Sequence, residues 1–198
     1  MSLGIFICPD GSLKSKILSW KEKIQKELIE QPYTKHPAHL TIINSKINKE
    51  NIAISKIRKY LRDTKSFNLD VKKNDVFWND IITGGHTIYF SIERTKQLQN
   101  IQNNLAVIMS KYKSENKIPK IFHPNKLLSN SYKIYGFPFV GDHWIPHFTI
   151  SSLKIKKSHK IIKEFLSNKN NSSFRVDKIS IWRINKDKHQ MLEEISLK

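Results

Sequence analysis

His147-Phe148-Thr149-Ile150 repeats, 108 residues later, the pattern of His39-Leu40-Thr41-Ile42. In a β-strand successive side chains point to opposite faces, so each His shares a face with its Thr, roughly 7 Å along the strand. Leu40 and Ile42, like Phe148 and Ile150, turn the other way, into a core. Two such strands meeting at one site bring together two imidazoles that titrate near neutral pH and two hydroxyls that both donate and accept hydrogen bonds. That set suits an oxyanion flanked by an acid and a base, and phosphate is the obvious candidate.

Outward from the motifs, the chain repeats an order of elements. Leu3 to Cys8 is an apolar strand closed by Pro9-Asp10-Gly11. A helix follows from Ser12, with Leu13, Ile17, Trp20, Ile24 and Leu28 inward, and Pro32 ends it. The first motif strand begins near His39. Asn48 is placed to cap a second helix with Glu50 in its first turn and Ile54, Ile57 and Leu61 inward, before strands at 67–71 and 76–78. After Gly84-Gly85 comes a strand, His86 to Glu93, then a Thr95-capped helix with Leu98, Ile101, Leu105, Ile108 and Tyr112 inward. The second motif strand, 144–153, is followed by a helix capped by Ser158 with Ile161, Ile162, Phe165 and Leu166 inward, and by strands at 174–184 and 190–197.

The spacing supports the repeat. Gly4 to His39 is 35 positions and His86 to His147 is 61, and the excess of 26 falls in a polar stretch, Ser114 to Asp142. Long irregular insertions in compact domains are often lids or binding loops. This one carries Lys126, Lys133, Tyr135 and Phe137, either as contacts to a base or sugar or as its own packing. The expectation is one domain over 1–198, with approximate repeat halves 1–80 and 84–198, interleaved lobes and an insertion at 114–142.

Composition narrows the function classes. A single cysteine, Cys8, excludes an intrachain disulfide and a thiolate-rich metal site, and fits a reducing cytoplasm. No stretch is long enough to span a membrane, and the short apolar N-terminal run lacks the basic start of a signal peptide. The formal charge is +18, yet 30 of the 35 basic residues are Lys. The excess reads either as a track for a polyanion or as a generally basic solvated surface, since specific phosphate contacts favour the planar fork of Arg. Such a charge biases the chain toward a monomer.

The paired motifs resemble the mark of the two-histidine (2H) phosphoesterase superfamily, which includes 2′-5′ RNA ligase-like and cyclic phosphodiesterase enzymes. Both copies have apolar intervening residues and a Pro just upstream, Pro37 and Pro146. The resemblance implies an α+β fold that is bilobal, with two pseudo-symmetric lobes, each an antiparallel sheet with flanking helices, around a central cleft. It implies a hydrolase that needs neither cofactor nor metal. Members open nucleoside 2′,3′-cyclic phosphates, trim RNA ends, cleave 2′-5′ or cyclic oligonucleotides, or ligate 2′-5′ ends. His39, Thr41, His147 and Thr149 would then be catalytic, one His taking a proton from the attacking hydroxyl and the other protonating the departing oxygen. The partner would be a nucleotide or RNA substrate, with no membrane and no stable protein partner implied. A non-catalytic RNA-binding module is the contrasting reading.

Other residues divide between roles. Trp144 is either a stacking platform for a base or core. Ser45 and Ser151 share the faces of their motif histidines and are expected to extend the polar row of the cleft, Ser151 as a substrate contact. Lys154 either meets a phosphate or is solvated. His36 and His143 flank the motifs. His143 and His147 have the four-residue spacing of a zinc helix, but Pro146 between them calls for extended backbone, so a zinc hydrolase is rejected. No Gly-x-Ser-x-Gly elbow or Gly-rich phosphate loop is present, and Cys8 sits on an apolar strand.

Overall fold

A computed structural model describes residues 1–115, 117–185 and 188–198. The elements are β1 (Ser2–Ile7), α1 (Gly11–Glu27), β2 (Leu40–Ser45), α2 (Glu50–Arg62), β3 (Phe67–Phe77), β4 (His86–Ile92), α3 (Lys96–Ser110), α4 (Lys126–Tyr135), β5 (His147–Leu153), α5 (Lys160–Ser167), β6 (Ser173–Val176), β7 (Lys178–Asn185) and β8 (Lys188–Ser196). The architecture is α+β. The strands form one antiparallel sheet of order β6-β3-β4-β5-β2-β1-β7-β8.

The motif strands β5 and β2 lie at the centre of that order, and three strands run outward on either side in matching roles. They pair at one position, Leu40 with Phe148. Both side chains are fully buried, and truncating Phe148 to Ala would cost about 3–5 kcal/mol. The helices lock the halves together crosswise. α1, which links β1 to β2, packs on β5, while α3, which links β4 to β5, packs on β2.

Each motif strand carries a bulge just after its Thr. On β2, Ile43 pairs with Ile5 and Thr41 with Phe6, leaving Ile42 as the extra residue; on β5, Ser151 pairs with Ile88 and Thr149 with Tyr89, leaving Ile150 extra. A bulge resets the alternation. His39, Thr41, His147 and Thr149 therefore stay half-buried on one face, whereas Ser45 and Ser151 are carried to the buried one.

Several local expectations change. The strands expected at 67–71 and 76–78 are one, because the register shifts between Val71 and Lys73 without breaking the pairing to β4. Asn48 does not cap α2; its Oδ1 accepts from the Ser114 hydroxyl at 2.6 Å, and Glu50 pairs with Arg183 of β7. α5 is capped by His159, whose Nδ1 accepts from the Ile161 amide, not by Ser158, and Leu166 is 42% exposed. The stretch expected at 174–184 is two strands, split at Asp177. The 114–142 segment, of which residue 116 lies outside the described residues, contains α4, capped by the Asn125 side chain and ended by Gly136 at φ 70. Gly136 lies so close to Ser45 that an added Cβ would meet the hydroxyl at 2.2 Å. Thr95 does cap α3, accepting from the Leu98 amide. No helix among the described residues is long and apolar enough to cross a membrane.

Candidate active site

The Leu40–Phe148 pair fixes the geometry of the centre. Counting outward from it in antiparallel register, His39 stands opposite Thr149, and Thr41 opposite His147. The two histidines thus lie on one diagonal across the strand pair and the two threonines on the other. α1 and α3 pack on the motif strands, and the four motif residues, on the other face, are half-buried.

Both histidines are held by the same device. His39 Nδ1 lies 2.8 Å from the Pro37 carbonyl, and His147 Nδ1 lies 2.6 Å from the Ile145 carbonyl, in each case two residues upstream. A carbonyl only accepts, so Nδ1 carries the hydrogen and Nε2 is left for the site. Aromatic rings buttress both imidazoles. Phe6, opposite Thr41 on β1, is 4.3 Å from His39, with Trp182 of β7 behind it. Tyr89, opposite Thr149 on β4, is 5.1 Å from His147, with Phe77 of β3 stacked on it at 4.0 Å.

Their electrostatic surroundings differ. Burial pushes His39 down from 6.5 to about 4; the Pro37 carbonyl opposes this, while the nearby charges of His189, Lys21 and His36 add to it. His147 is also pushed down by burial, but both remaining influences, the Ile145 carbonyl and the Asp80 carboxylate, act to raise it. Asp80 is fixed in the β3–β4 connection by the Thr83 and Thr87 hydroxyls and the Ile82 amide. Lys21, itself lowered to about 8 by burial, donates to the Tyr33 carbonyl.

The four motif residues thus come together, but the residues expected to contact substrate from elsewhere do not join them. Trp144 is 3% exposed, and its indole donates to the Thr41 carbonyl at 3.0 Å; it braces the first motif strand from the core side instead of stacking on a base. Ser151, turned inward by the bulge and fully buried, donates to the Pro32 carbonyl and anchors the segment leading to β2. Tyr135 packs its ring against the core at the end of α4. Lys154 is exposed and, with His86 and Asn79, lines a separate cavity of about 530 Å³. Ser45 lies under Gly136. His143 is half-buried in the turn before Trp144, and His36 is 4.6 Å from His189, next to His39.

Sequence reasoning missed Phe6, Tyr89, Phe77, Trp182, Asp80 and His189. Phe6 was legible, since alternation from Leu3 and Ile5 puts it on the opposite face. The others depend on strand neighbours distant in the chain and left no local signal. Cys8, half-buried with Sγ 3.3 Å from the Ser180 hydroxyl, has its thiol pushed up by burial.

Comparison with known proteins gives a consistent picture. A family model described as the 2′-5′ RNA ligase superfamily matches residues 13–188. No curated protein sequence matches the chain. Among solved structures, Thermus thermophilus TT0787 is similar at TM-score 0.68 and 14% identity, over 100% of this chain and 98% of that one. Escherichia coli LigT in apo form is similar at 0.60 and 11%, over 100% and 97%, and its complex with 3′-AMP at 0.57 and 14%, over 99% and 97%. Usb1 of Kluyveromyces marxianus is similar at 0.51 and 11%, over 99% and 97%.

Proposed function

The chain belongs to the 2′-5′ RNA ligase superfamily, and from that premise we propose that it is a metal-independent phosphodiesterase opening 2′,3′-cyclic phosphates, or cleaving related 2′-5′ phosphodiesters, of nucleotides or RNA. One observation carries the reading: two imidazoles, each tied through Nδ1 to a carbonyl two residues upstream, present Nε2 on either side of a gap flanked by two threonines. LigT crystallised with 3′-AMP shows that a related fold takes a nucleotide monophosphate.

In the proposed reaction His39, held neutral, takes the proton of the attacking water through Nε2. The water oxygen bonds to phosphorus, the bond to one ribose oxygen breaks, and His147, the one beside a carboxylate, donates its Nε2 proton to that oxygen. Thr41 and Thr149 donate to the nonbridging oxygens as charge builds there. Ligation would use the same groups with a ribose hydroxyl as attacking atom. We take residues 1–198 to act as one monomeric unit in a reducing cytoplasm, where the lone Cys8 thiol stays reduced.

The test is incubation with nucleoside 2′,3′-cyclic phosphates in EDTA, following the product by phosphorus NMR alongside His39→Ala and His147→Ala. Formation of a 2′- or 3′-monophosphate, lost in both variants, is the expected result. Turnover that survives either substitution, or that requires a metal, would overturn the reading.

A further inference from the structure

Beyond the end of β5 the chain meets the β3–β4 connection around a cavity of about 530 Å³, whose walls include Asn79, Gly84, His86, Lys154 and Lys156. None of these residues takes part in the proposed chemistry.

His86 is the fixed polar group of the wall. It is 7% exposed, and its Nδ1 accepts from the Asn79 amide at 3.2 Å. A ring nitrogen that accepts carries no hydrogen, so the imidazole holds its hydrogen on Nε2. Nothing among the described residues accepts from that N–H. The described side-chain atoms sealed from solvent without a partner belong to Asn44, Asn74, Gln99 and Asn170, so the His86 N–H keeps open surface. A donor held in this way is stabilised by an acceptor in the cavity it lines.

Positive charge surrounds that donor. Lys154 and Lys156, with Lys157 next in the chain, are exposed, and none of the three pairs with a carboxylate among the described residues. The one carboxylate of the loop, Asp80, is already occupied by the Ile82 amide and the Thr83 and Thr87 hydroxyls. The frame is well anchored. The Thr83 and Ser152 hydroxyls are 2.5 Å apart, the Gly84 amide donates to the Asp80 carbonyl at 2.7 Å, and the Lys154 amide donates to the Gln31 side chain at 2.8 Å. A cation finds no ligand set here, since the His86 Nδ1 lone pair is taken and the ammonium groups repel it. An anion is what this wall attracts.

Beside His86 stands an aromatic platform. Trp78 is 43% exposed, and its ring meets His86 edge-on at 5.2 Å. Lys157 lies over the same ring at 5.6 Å, an exposed contact that another partner can replace. Every nucleobase has a π-face that stacks on such a ring. A phosphate group with a base attached therefore satisfies both features, and the cavity falls in the size range of small-molecule sites.

We propose that this cavity is a second nucleotide-binding site, separate from the motif residues, in which His86 Nε2, Lys154 and Lys156 hold a phosphate group and Trp78 stacks the attached base. The phosphate has two sources, a free nucleotide or one unit of an RNA strand. The site stands apart from the phosphodiesterase reading and does not depend on it.

The experiment titrates AMP and octaadenylate into His39→Ala/His147→Ala protein labelled with 5-fluorotryptophan, in which the Trp78 fluorine resonance is identified by its loss in Trp78→Phe. That resonance should shift saturably with at least one of the two ligands. In the same background, Lys154→Gln/Lys156→Gln should weaken the titration followed at Trp78 by about tenfold and lower its salt dependence. Lys56→Gln/Lys59→Gln on α2 removes the same charge elsewhere and should change it less than about threefold. His86→Phe, which fills the space without the N–H, should weaken it by about five- to tenfold, the size of one hydrogen bond to a charged group. Saturation by AMP assigns the site to a free nucleotide, and saturation by octaadenylate alone assigns it to an RNA strand. No shift at Trp78 with either ligand would overturn the proposal. So would equal weakening by the α2 pair, which would leave only diffuse attraction of a polyanion to a basic surface. Should the parent open no cyclic phosphate, the same titration still decides, because it reads Trp78 and not the motif residues.

Discussion

The two halves of the central sheet are built alike and charged differently. On each side a motif strand carries His-x-Thr followed by a bulge, at Ile42 and at Ile150, and the His gives its Nδ1 hydrogen to the carbonyl two residues upstream. On each side an aromatic residue of the neighbouring strand, Phe6 or Tyr89, supports the ring. The charges around these matched frames diverge for a topological reason. β3 and β4 are consecutive, so their connection lies beside the second motif and delivers Asp80 there. The equivalent neighbours β7 and β1 come from opposite ends of the chain and have no such connection. In its place β8 brings His189 to the first motif. Backbone symmetry sets the positions, and the asymmetric connections set the proton affinities, which is what an acid and a base on otherwise equivalent frames require.

The strongest way to break this comparison is to remove its two ends separately and together. His39→Ala and His147→Ala should each lower turnover by roughly 10²–10⁴-fold, and the double variant should be little worse than either, because acid and base serve one step. Multiplicative losses would mean that the two groups act independently. A smaller effect is expected from the other diagonal. Thr41→Val and Thr149→Val keep shape and strand propensity but lose the donor, and each should lower kcat about 10–100-fold with KM nearly unchanged if the hydroxyls act on developing charge. A loss confined to KM would reassign them to ground-state binding.

How much of this was legible in sequence depends on how local the cause is. The motif strands, the Thr95 cap and the inward faces of α1 and α3 follow from short-range pattern and appear as expected. So does the meeting of the four motif residues, since two strands with the same polar face invite one site. The bulges do not announce themselves: Ile42-Ile43 and Ile150-Ser151 read as continued alternation, and that single extra residue is what carries Ser45 and Ser151 into the core. Trp144 shows the same limit, because its partner, the Thr41 carbonyl, lies 103 residues away. Asp80 and His189 were invisible because sheet order, not sequence distance, brings them to the motifs.

Stability should reveal the unequal surroundings directly. His39 is lowered from 6.5 to about 4, so the unfolded chain gains a proton as pH falls below 6.5 while the folded one resists until about 4. The contribution of this neutral imidazole is fully present above pH 6.5 and is lost progressively down to pH 4. Discounted for its partial exposure, that loss is about 1–2 kcal/mol. Urea midpoints measured between pH 7 and pH 4 should fall less steeply for His39→Gln than for the parent. Parallel curves would show that His39 titrates normally.

The smallest effects test which half supplies the base. If His39 must be neutral and His147 protonated, the acid limb of the kcat/KM profile reports the first and the alkaline limb the second. Lys21→Met removes a positive charge that disfavours protonated His39, which raises the pKa of that group and moves the acid limb to higher pH. Lys21 is itself lowered to about 8, so its charge is present across the acid limb and the substitution acts where it is measured. Asp80→Asn removes the carboxylate that favours protonated His147, which lowers that pKa and moves the alkaline limb to lower pH. Each shift should be about half a pH unit, given the screening of charges that do not touch the rings. Both substitutions narrow the bell, from opposite sides. If instead Lys21→Met moved the alkaline limb and Asp80→Asn the acid one, the roles of the two histidines would be exchanged, while the matched frames that hold them would stand unchanged.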